Sequence, residues 1–427
     1  MRGRRSTATV PGKGACLPSV DCSGATPSIR AGMTPCREVL GRRGRSLGNS
    51  SYRLGGDQGL LKKAWKGGIA LLLLLLAVVL AGCAGPMAGD PGWVAAASDG
   101  QRVYMGQPNG KFIAVDTNGQ KVWEFPSGKE HIGGFYAAPV FAGDRVIFAA
   151  SDSTDPSGRR ARVYSVTAAT GGEAKVLKET QGMIVGTPLL YGDTLYVTSA
   201  DKHVYALDPV TGEERWPAFT ADGAIWGSVV ADGDRLFFGT MNHSVYAISA
   251  RDGQQLWRVS VNGAVLGTPA VGGGRVYVGD VDSKLYALDA ATGAEVWRFA
   301  GAKNWIWGQP ALVGDLLYVP SLDGNVYVLD AATGAEHEEW RVKTNGAVRA
   351  GPTLAGDTLY IASEDQSLYA VNVTSHKLAW APYKATGKLL TSPVVAGDTV
   401  YVVAANGTAF SVDARTGSGR QLYPEPK

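Results

Sequence analysis

Residues 93–423 alternate between apolar and polar positions with a period of two, and the pattern recurs about every 41 residues. One copy runs from Gly186 to Trp216, and turn sequences such as Gly192-Asp193 separate its short alternating segments. A period of two is typical of β-strands, and Gly-Asp turns favour hairpins because they accept positive φ angles. The pattern therefore predicts a series of antiparallel hairpins and excludes a helical solenoid.

The copies are counted from a slot that is usually proline and is followed four residues later by a turn glycine. This slot is filled by Ala96, Pro139, Pro188, Val229, Pro269, Pro310, Pro352 and Pro393. Each copy supplies four strands but cannot bury both of its faces, so the copies must stack on one another. A closed ring buries both faces and leaves only short edges. The sequence predicts an all-β fold, an eight-bladed β-propeller of four-stranded antiparallel blades over residues 93–427.

Six of the eight copies end in a tryptophan on the predicted outermost strand, and the second and eighth copies lack it. These residues are Trp123, Trp216, Trp257, Trp297, Trp340 and Trp380. We expect each indole to wedge between neighbouring blades, where it would bury roughly 150–250 Å². Their predicted role is structural docking.

An export signal precedes the repeats. Lys62, Lys63 and Lys66 stand before the apolar run 69–80, which is too short for a bilayer-spanning helix of roughly 20 residues. A basic region, an apolar region and a small-residue end are typical of a secretory signal. Residues 80–83, Leu-Ala-Gly-Cys, also resemble the lipobox of bacterial lipoproteins, which implies lipidation of Cys83 and cleavage before it. The alternative is an uncleaved N-terminal anchor, which would export the remaining chain equally well.

These features divide the chain. We expect a lipoprotein signal peptide at 61–82 and a lipidated tether at 83–92. We expect the exported protein to be anchored to a membrane at the cell surface, or at the periplasmic face if the host has an outer membrane. Residues 1–60 are rich in Arg, Gly and Ser and lack apolar periodicity, so we expect them to be disordered. Because signal peptides seldom begin sixty residues into a chain, we also expect translation to start nearer Leu60, with the preceding stretch an over-extended gene start.

Charge and cysteine content exclude several functions. Residues 1–82 hold 13 of the 41 Lys and Arg residues and 3 of the 38 Asp and Glu residues, which leaves a body with 28 basic and 35 acidic residues. A mildly acidic body gives no electrostatic signal for nucleic-acid binding. No cysteine follows Cys83, so the body has neither disulfides nor a thiolate metal site. We expect a monomeric propeller.

The segments 206–216 and 287–297 share the pattern Ala-Leu-Asp-x-x-Thr-Gly-x-x-x-Trp. This pattern resembles the tryptophan-docking motif of the pyrroloquinoline quinone (PQQ) propeller superfamily, and the resemblance covers residues 93–423. The superfamily contains quinoprotein dehydrogenases and also non-catalytic lipoproteins of the BamB type, which belong to the outer-membrane β-barrel assembly machinery. The resemblance implies the fold but leaves the function open, because one fold supports many functions.

Dehydrogenases of this superfamily stack PQQ between a tryptophan and a disulfide of adjacent cysteines, above a Ca²⁺ ion. The body lacks cysteines, a C-x-x-C-H haem site and long insertions. One hairpin slot carries Asp201, Asp282, Asp323 and Asp365, and we interpret these residues as turn formers that bind local backbone amides. Repeat symmetry disperses them, whereas Ca²⁺ needs six or more converging oxygens. We predict no catalytic residue, no cofactor and no metal, and we interpret the five histidines as surface or loop residues.

The residue three positions before the proline slot should enter the innermost strand from one rim of the ring. With the preceding connections, this position gives the candidate partner-binding residues Trp93, Phe135, Tyr136, Trp226, Leu266, Trp305, Trp307, Arg349 and Leu390. Such a composition is typical of an interface hot spot. The alternative is that the rings pack on each other and plug the funnel. A polar hairpin at 151–160 lies on the same rim, either as part of a binding face or as a tolerated loop.

Three hypotheses follow for function. The first is a non-catalytic, lipid-anchored scaffold that holds a protein partner at the cell envelope. The second is a PQQ-dependent, quinoprotein-type oxidoreductase with altered cofactor ligation. The third is a cell-surface module that binds a peptide or a glycan. The missing cysteines and insertions favour the first over the second.

Overall fold

The computed structural model describes residues 92–155 and 157–424. The expected N-terminal extension, signal peptide, Cys83 and tether up to residue 91 lie outside the described residues. Within the described part of the chain, no helix has the length and apolar content needed to cross a membrane.

The described residues form eight antiparallel sheets, which we number as blades 1 to 8 in chain order. Their strands are β1 Ala96–Ser98, β2 Arg102–Gly106, β3 Phe112–Asp116 and β4 Lys121–Phe125 in blade 1; β5 Val140–Ala142, β6 Arg145–Ser151, β7 Ala161–Thr167 and β8 Lys175–Thr180 in blade 2; β9 Leu189–Tyr191, β10 Thr194–Thr198, β11 His203–Leu207 and β12 Glu214–Thr220 in blade 3; β13 Val230–Asp232, β14 Arg235–Gly239, β15 Ser244–Ser249 and β16 Gln255–Ser260 in blade 4; β17 Ala270–Gly272, β18 Arg275–Gly279, β19 Leu285–Asp289 and β20 Glu295–Phe299 in blade 5; β21 Ala311–Val313, β22 Leu316–Pro320, β23 Asn325–Asp330 and β24 Val342–Lys343 in blade 6; β25 Thr353–Ala355, β26 Thr358–Ala362, β27 Ser367–Asn372, β28 Lys377–Leu378 and β29 Tyr383–Lys384 in blade 7; and β30 Val394–Ala396, β31 Thr399–Val403, β32 Ala409–Asp413 and β33 Gly419–Tyr423 in blade 8.

Each blade is a meander in which consecutive strands pair, and the first strand lies nearest the axis of the ring. Blade 7 departs from the pattern because β28 and β29 both pair with β27, so its outermost strand is split. In blade 6 a 3₁₀ turn, Glu338–Trp340, precedes the short outer strand. The prediction of an all-β, eight-bladed propeller with four-stranded antiparallel blades is confirmed.

The hydrophobic core lies between blades, because each cluster of buried side chains joins two neighbouring sheets. Between blades 1 and 2, for example, the rings of Phe112 and Phe148 stack with centroids 3.8 Å apart. The last cluster packs Tyr401 and Val403 of blade 8 against Val103 of blade 1. Since blades 1 and 8 each consist of consecutive strands, side-chain packing of this kind closes the ring without an exchanged strand.

Five of the six predicted docking tryptophans make the same contact with the next blade. The indole Nε1 donates to a carbonyl oxygen in the following blade at 2.9–3.3 Å, in the pairs Trp123–Ala168, Trp216–Ala250, Trp257–Ala290, Trp297–Ala331 and Trp380–Ala414. The indole lies against a turn glycine. A Cβ atom on Gly293 would approach Cδ2 of Trp257 to 2.8 Å, and φ at Gly293 is +76°. Glycine therefore provides both the backbone conformation and the space for the indole.

Trp340 is the exception among the tryptophans. His376 stands where the other blades have this glycine, with φ at +55°. The indole is sandwiched between the imidazoles of His337 and His376, at centroid distances of 4.2 and 3.8 Å. The seam between blades 6 and 7 therefore uses aromatic stacking in place of an indole lying on a glycine.

Candidate functional site at the axis

The first strands of the eight blades surround a funnel of about 450 Å³ that opens on one rim. The eight residues three positions before the proline slot all line it: Trp93, Tyr136, Val185, Trp226, Leu266, Trp307, Arg349 and Leu390. Seven of the nine candidate partner-binding residues are therefore brought together here. Repeat symmetry explains this arrangement, because each residue occupies the same position at the start of an innermost strand.

Glycines directly after the funnel residues let the innermost strands approach one another. A Cβ atom on Gly186, Gly227 or Gly267 would lie 2.7, 2.3 or 2.0 Å from the backbone of the next blade. Hydrogen bonds also cross between blades here, since the amide of Ser228 donates to Oγ1 of Thr268 at 3.0 Å. The funnel is consequently narrow, and its lining is held by the backbone of the ring.

The large rings of the funnel pack on one another. Trp93 contacts Trp307 edge to face with centroids 5.4 Å apart, and it contacts Tyr136 at 5.6 Å. Trp226 lies 6.2 Å from Trp307. Trp93 precedes blade 1 and Trp307 precedes blade 6, so rings from blades that are not neighbours meet at the axis. This is the arrangement of a plug, but Trp93, Trp226 and Trp307 remain only half-buried and keep accessible surface at the mouth.

Arg349 adds a positive charge beside this cluster. Its guanidinium lies 4.6 Å from the centre of the Trp307 ring and donates to Oε1 of Glu364 at 2.8 Å. Glu364 also accepts a hydrogen bond from Lys388 at 2.9 Å. Burial opposes ionisation of Glu364, but the hydrogen bonds and charges of Lys388 and Arg349 outweigh it and lower the pKa of this carboxyl. The two cations therefore hold Glu364 ionised at the funnel mouth.

The remaining two candidate residues lie outside the funnel. Trp305 is 41% exposed and its ring lies 6.3 Å from Trp307, so it extends the aromatic surface outward. Phe135 is only 1% exposed and packs in the core between blades 1 and 2. A Cβ atom on Gly106 would come within 2.2 Å of its ring, so the missing side chain of Gly106 makes room for Phe135 inside. Phe135 therefore does not belong to the accessible rim on which we expected it.

The acidic side chains of the hairpin at 151–160 bind groups within the hairpin and on its adjoining strand. The carboxylate of Asp155 accepts hydrogen bonds from the backbone amides of Ser157, Arg159 and Arg160, which lower its pKa. Asp152 is buried and lies 3.2 Å from the guanidinium of Arg162. The acidic groups of this hairpin are thus engaged in its own turn.

The aspartates of the hairpin slot act as turn acceptors. In blade 6, Oδ2 of Asp323 accepts from the amide of Lys303 at 2.8 Å and from the hydroxyl of Tyr327 at 2.6 Å. In blade 5, however, the buried Asp280 takes this role, and Asp282 is exposed. Asp282 occupies the predicted slot, but the prediction that its side chain binds local backbone amides was wrong. Asp280 occupies a position that is a buried serine in the other three blades, and its carboxylate reaches the tyrosine from there.

The donor set of the funnel does not fit a Ca²⁺–quinone centre. Among the described residues that line it there is neither a carboxylate nor a cysteine, and the side-chain oxygens belong to Thr, Ser, Tyr and Gln. Calcium needs six to eight oxygen ligands, usually including carboxylates. Across residues 92–155 and 157–424, no group of three or more His, Cys, Asp or Glu residues is arranged to hold a metal ion.

Comparisons with known proteins agree with this architecture. A family model described as "Outer membrane protein assembly factor BamB" matches residues 85–218, 218–304 and 281–424. The crystal structure of the computationally designed Ika8 protein is similar with a TM-score of 0.62 and 18% identity, over 76% of this chain and 96% of that one. BamB from Moraxella catarrhalis is similar with a TM-score of 0.52 and 19% identity, over 66% of this chain and 86% of that one. No curated protein matches the sequence.

Proposed function

Because the chain belongs to the family described as outer membrane protein assembly factor BamB, we propose that it is a non-catalytic scaffold that holds a protein partner at the cell envelope. In this proposal, Cys83 carries the lipid that anchors it to a membrane, and the partner binds at the funnel mouth. The observation that carries the proposal is the aromatic cluster at the axis. The cluster lines a funnel whose described residues offer no carboxylate or cysteine ligand, and it presents Trp305 and the half-buried Trp307 to the outside.

The chemistry of the mouth supports a protein partner. Exposed tryptophan beside arginine is the composition of binding hot spots, where a large apolar surface is combined with a directional charge. Arg349 is held by Glu364 and by the face of Trp307, so it loses little side-chain freedom on binding. The mouth is therefore ordered before a partner arrives.

Site-specific photo-crosslinking in native membranes tests the partner site. A photoreactive amino acid replaces Trp305 at the mouth or Val210, which is 68% exposed in a turn at the opposite end of blade 3. We expect an adduct with an outer-membrane barrel assembly protein from position 305 and none from position 210. Equal adducts from both positions, or none from either, would refute the partner site.

The non-catalytic assignment has a separate test. Purified protein is mixed with PQQ and Ca²⁺, and dye reduction is followed with a range of alcohols. We expect no change in absorbance, because the funnel residues provide no carboxylate to bind the ion. Dye reduction that depends on added PQQ would overturn the assignment and favour the oxidoreductase hypothesis.

A further inference from the structure

The two ends of the propeller differ in charge. One end of the propeller carries the funnel mouth, the hairpins between second and third strands, and the connections between blades. We call this end the funnel rim. We call the opposite end, which carries the other turns, the turn rim. Seven blades expose an aspartate in the first turn of the turn rim: Asp99, Asp144, Asp193, Asp234, Asp315, Asp357 and Asp398. Three of these lie within 4 Å of an arginine, and the other four have no such ion pair among the described residues.

The funnel rim is basic on its exposed surface. Its exposed cations include Lys129, Arg159, Lys202, Lys303, Lys343, Lys384 and Lys388, which lie along an arc that runs from the connection before blade 6 past blades 7 and 8 to blade 3. Its exposed carboxylates are Glu130, Glu179 and Asp282, and Glu179 is paired with Arg162 at 2.8 Å. Most other acids at this rim are partly buried and accept hydrogen bonds from backbone amides, as Asp323 and Asp365 do. The acidic surplus of the body is therefore concentrated away from the funnel mouth.

The chain enters the propeller at the funnel rim. The amide of Trp93 donates to the carbonyl of Phe135 at 2.8 Å, which fixes the entry point beside the mouth. Trp93 follows Cys83 by ten residues, which reach at most about 35 Å when fully extended. Four strands about 4.8 Å apart place the outer edge roughly 20 Å from the axis, and a five-residue strand is roughly 17 Å tall. Because these two distances together match the reach of the tether, a tether that ran over the outer edge to the turn rim would have to be fully extended.

We propose that the funnel rim docks on the surface of a bilayer that contains anionic phospholipid, with the acidic turn rim facing away. This inference rests on the lipid anchor at Cys83 that is part of the proposed function. Each lysine near an anionic surface strengthens binding about fivefold, from ~1 kcal/mol per charge. The cations stand along an arc of the perimeter, away from the axis, so docking leaves the central mouth open to a partner that emerges from the membrane.

Two matched cysteine variants test the orientation, since the chain contains no cysteine after Cys83. Asn345→Cys lies exposed on the funnel rim, and Asn118→Cys lies exposed on the turn rim. Each variant of the lipidated protein is labelled with an environment-sensitive fluorophore and reconstituted into phosphatidylcholine vesicles with or without phosphatidylglycerol. We expect a lipid-borne quencher to reach the label at position 345 only in phosphatidylglycerol vesicles, and the label at position 118 in neither. Equal quenching at both positions would overturn the docking.

Charge removal tests the cause of the orientation. The combined substitution Lys129→Gln, Lys303→Gln and Lys343→Gln should shift the docking equilibrium on the order of a hundredfold and abolish the quenching at position 345. Lys377→Gln, on the exposed surface near the turn rim, is the control and should leave the quenching unchanged. Quenching that survives the triple substitution would overturn the electrostatic mechanism.

The outcomes separate this inference from the proposed function. Protein that does not float with phosphatidylcholine vesicles lacks the anchor, and that result would overturn both. Protein that floats but shows no difference between the two labels overturns the docking alone. A clear difference between the labels without a crosslink from position 305 overturns the partner site alone.

Discussion

Removing one docking indole should measure how strongly a blade is held to its neighbour. Trp257 is the suitable residue because it is 8% exposed and lies wholly within the regular seam between blades 4 and 5. Its Nε1 donates to the carbonyl of Ala290 at 3.1 Å, and its ring covers Gly293. Trp257→Ala therefore removes an inter-blade contact while leaving the four strands of blade 4 intact.

The expected cost follows from the buried area and the lost hydrogen bond. An indole that buries roughly 150–250 Å² contributes about 4–6 kcal/mol at 25 cal/mol per Å². Large-to-small substitutions of buried tryptophan cost about 3–5 kcal/mol, since the surroundings relax partly into the space left behind. The carbonyl of Ala290 would also lose its donor, which adds about 1 kcal/mol. We expect Trp257→Ala to lower the free energy of unfolding by about 4–6 kcal/mol.

Urea unfolding followed by circular dichroism provides the measurement. Leu256→Ala is the matched control, because Leu256 is the adjacent residue on the same strand and is 51% exposed. The control should change the free energy of unfolding by no more than about 0.5 kcal/mol. A loss below about 1 kcal/mol for Trp257→Ala, or equal losses for both variants, would refute the docking role of the indole.

Three further predictions concern single positions. Gly293→Ala should destabilise the protein more than Gly274→Ala in thermal unfolding. Both glycines have φ above +70°, but only at Gly293 would the new Cβ atom meet an indole. Equal losses of stability would count against this contact. Asp280→Ala should lower the free energy of unfolding in urea by at least about 2 kcal/mol, because Asp280 binds three backbone amides and a tyrosine hydroxyl. The control Asp282→Ala should change it by no more than about 0.5 kcal/mol. Comparable losses would restore the equivalence of Asp282 with the other turn aspartates. Burial, together with the charge of a second imidazole, lowers the pKa of His376, so the unfolded chain takes up a proton first as the pH falls below about 6.5, and stability is lost from there down through the folded-state pKa. His376→Asn, which tolerates the positive φ, should weaken this dependence in urea midpoints measured against pH, and an unchanged slope would contradict it.

Much of the fold and of the funnel could be predicted because the repeats make equivalent positions visible. Counting three residues back from the proline slot identified Trp93, Trp226 and Trp307 as residues of one ring, and the structure places them together at the axis. The same symmetry identified the indoles that contact the next blade. These features depend on local register within a blade, which the period-two pattern determines.

Features that depend on one blade's departure from the pattern were not predicted. The burial of Phe135 depends on the absence of a side chain at Gly106, on a neighbouring strand of another blade. Asp280 stands two residues before the hairpin slot, where the other three blades have a serine, and that substitution was a signal in the sequence that a carboxylate reaches the tyrosine from a buried position. The stack on Trp340 depends on His376, which stands in a glycine position about forty residues later.

The closure of the ring by side-chain packing has a mechanical consequence. Seven of the eight seams are crossed by a covalent connection, whereas no peptide segment within residues 92–155 and 157–424 crosses the seam between blades 8 and 1. A pulling force applied through the two ends of the described chain therefore acts across a seam that noncovalent contacts alone hold. Because no blade shares a strand with its neighbour, opening this seam leaves the strand pairing of every sheet intact.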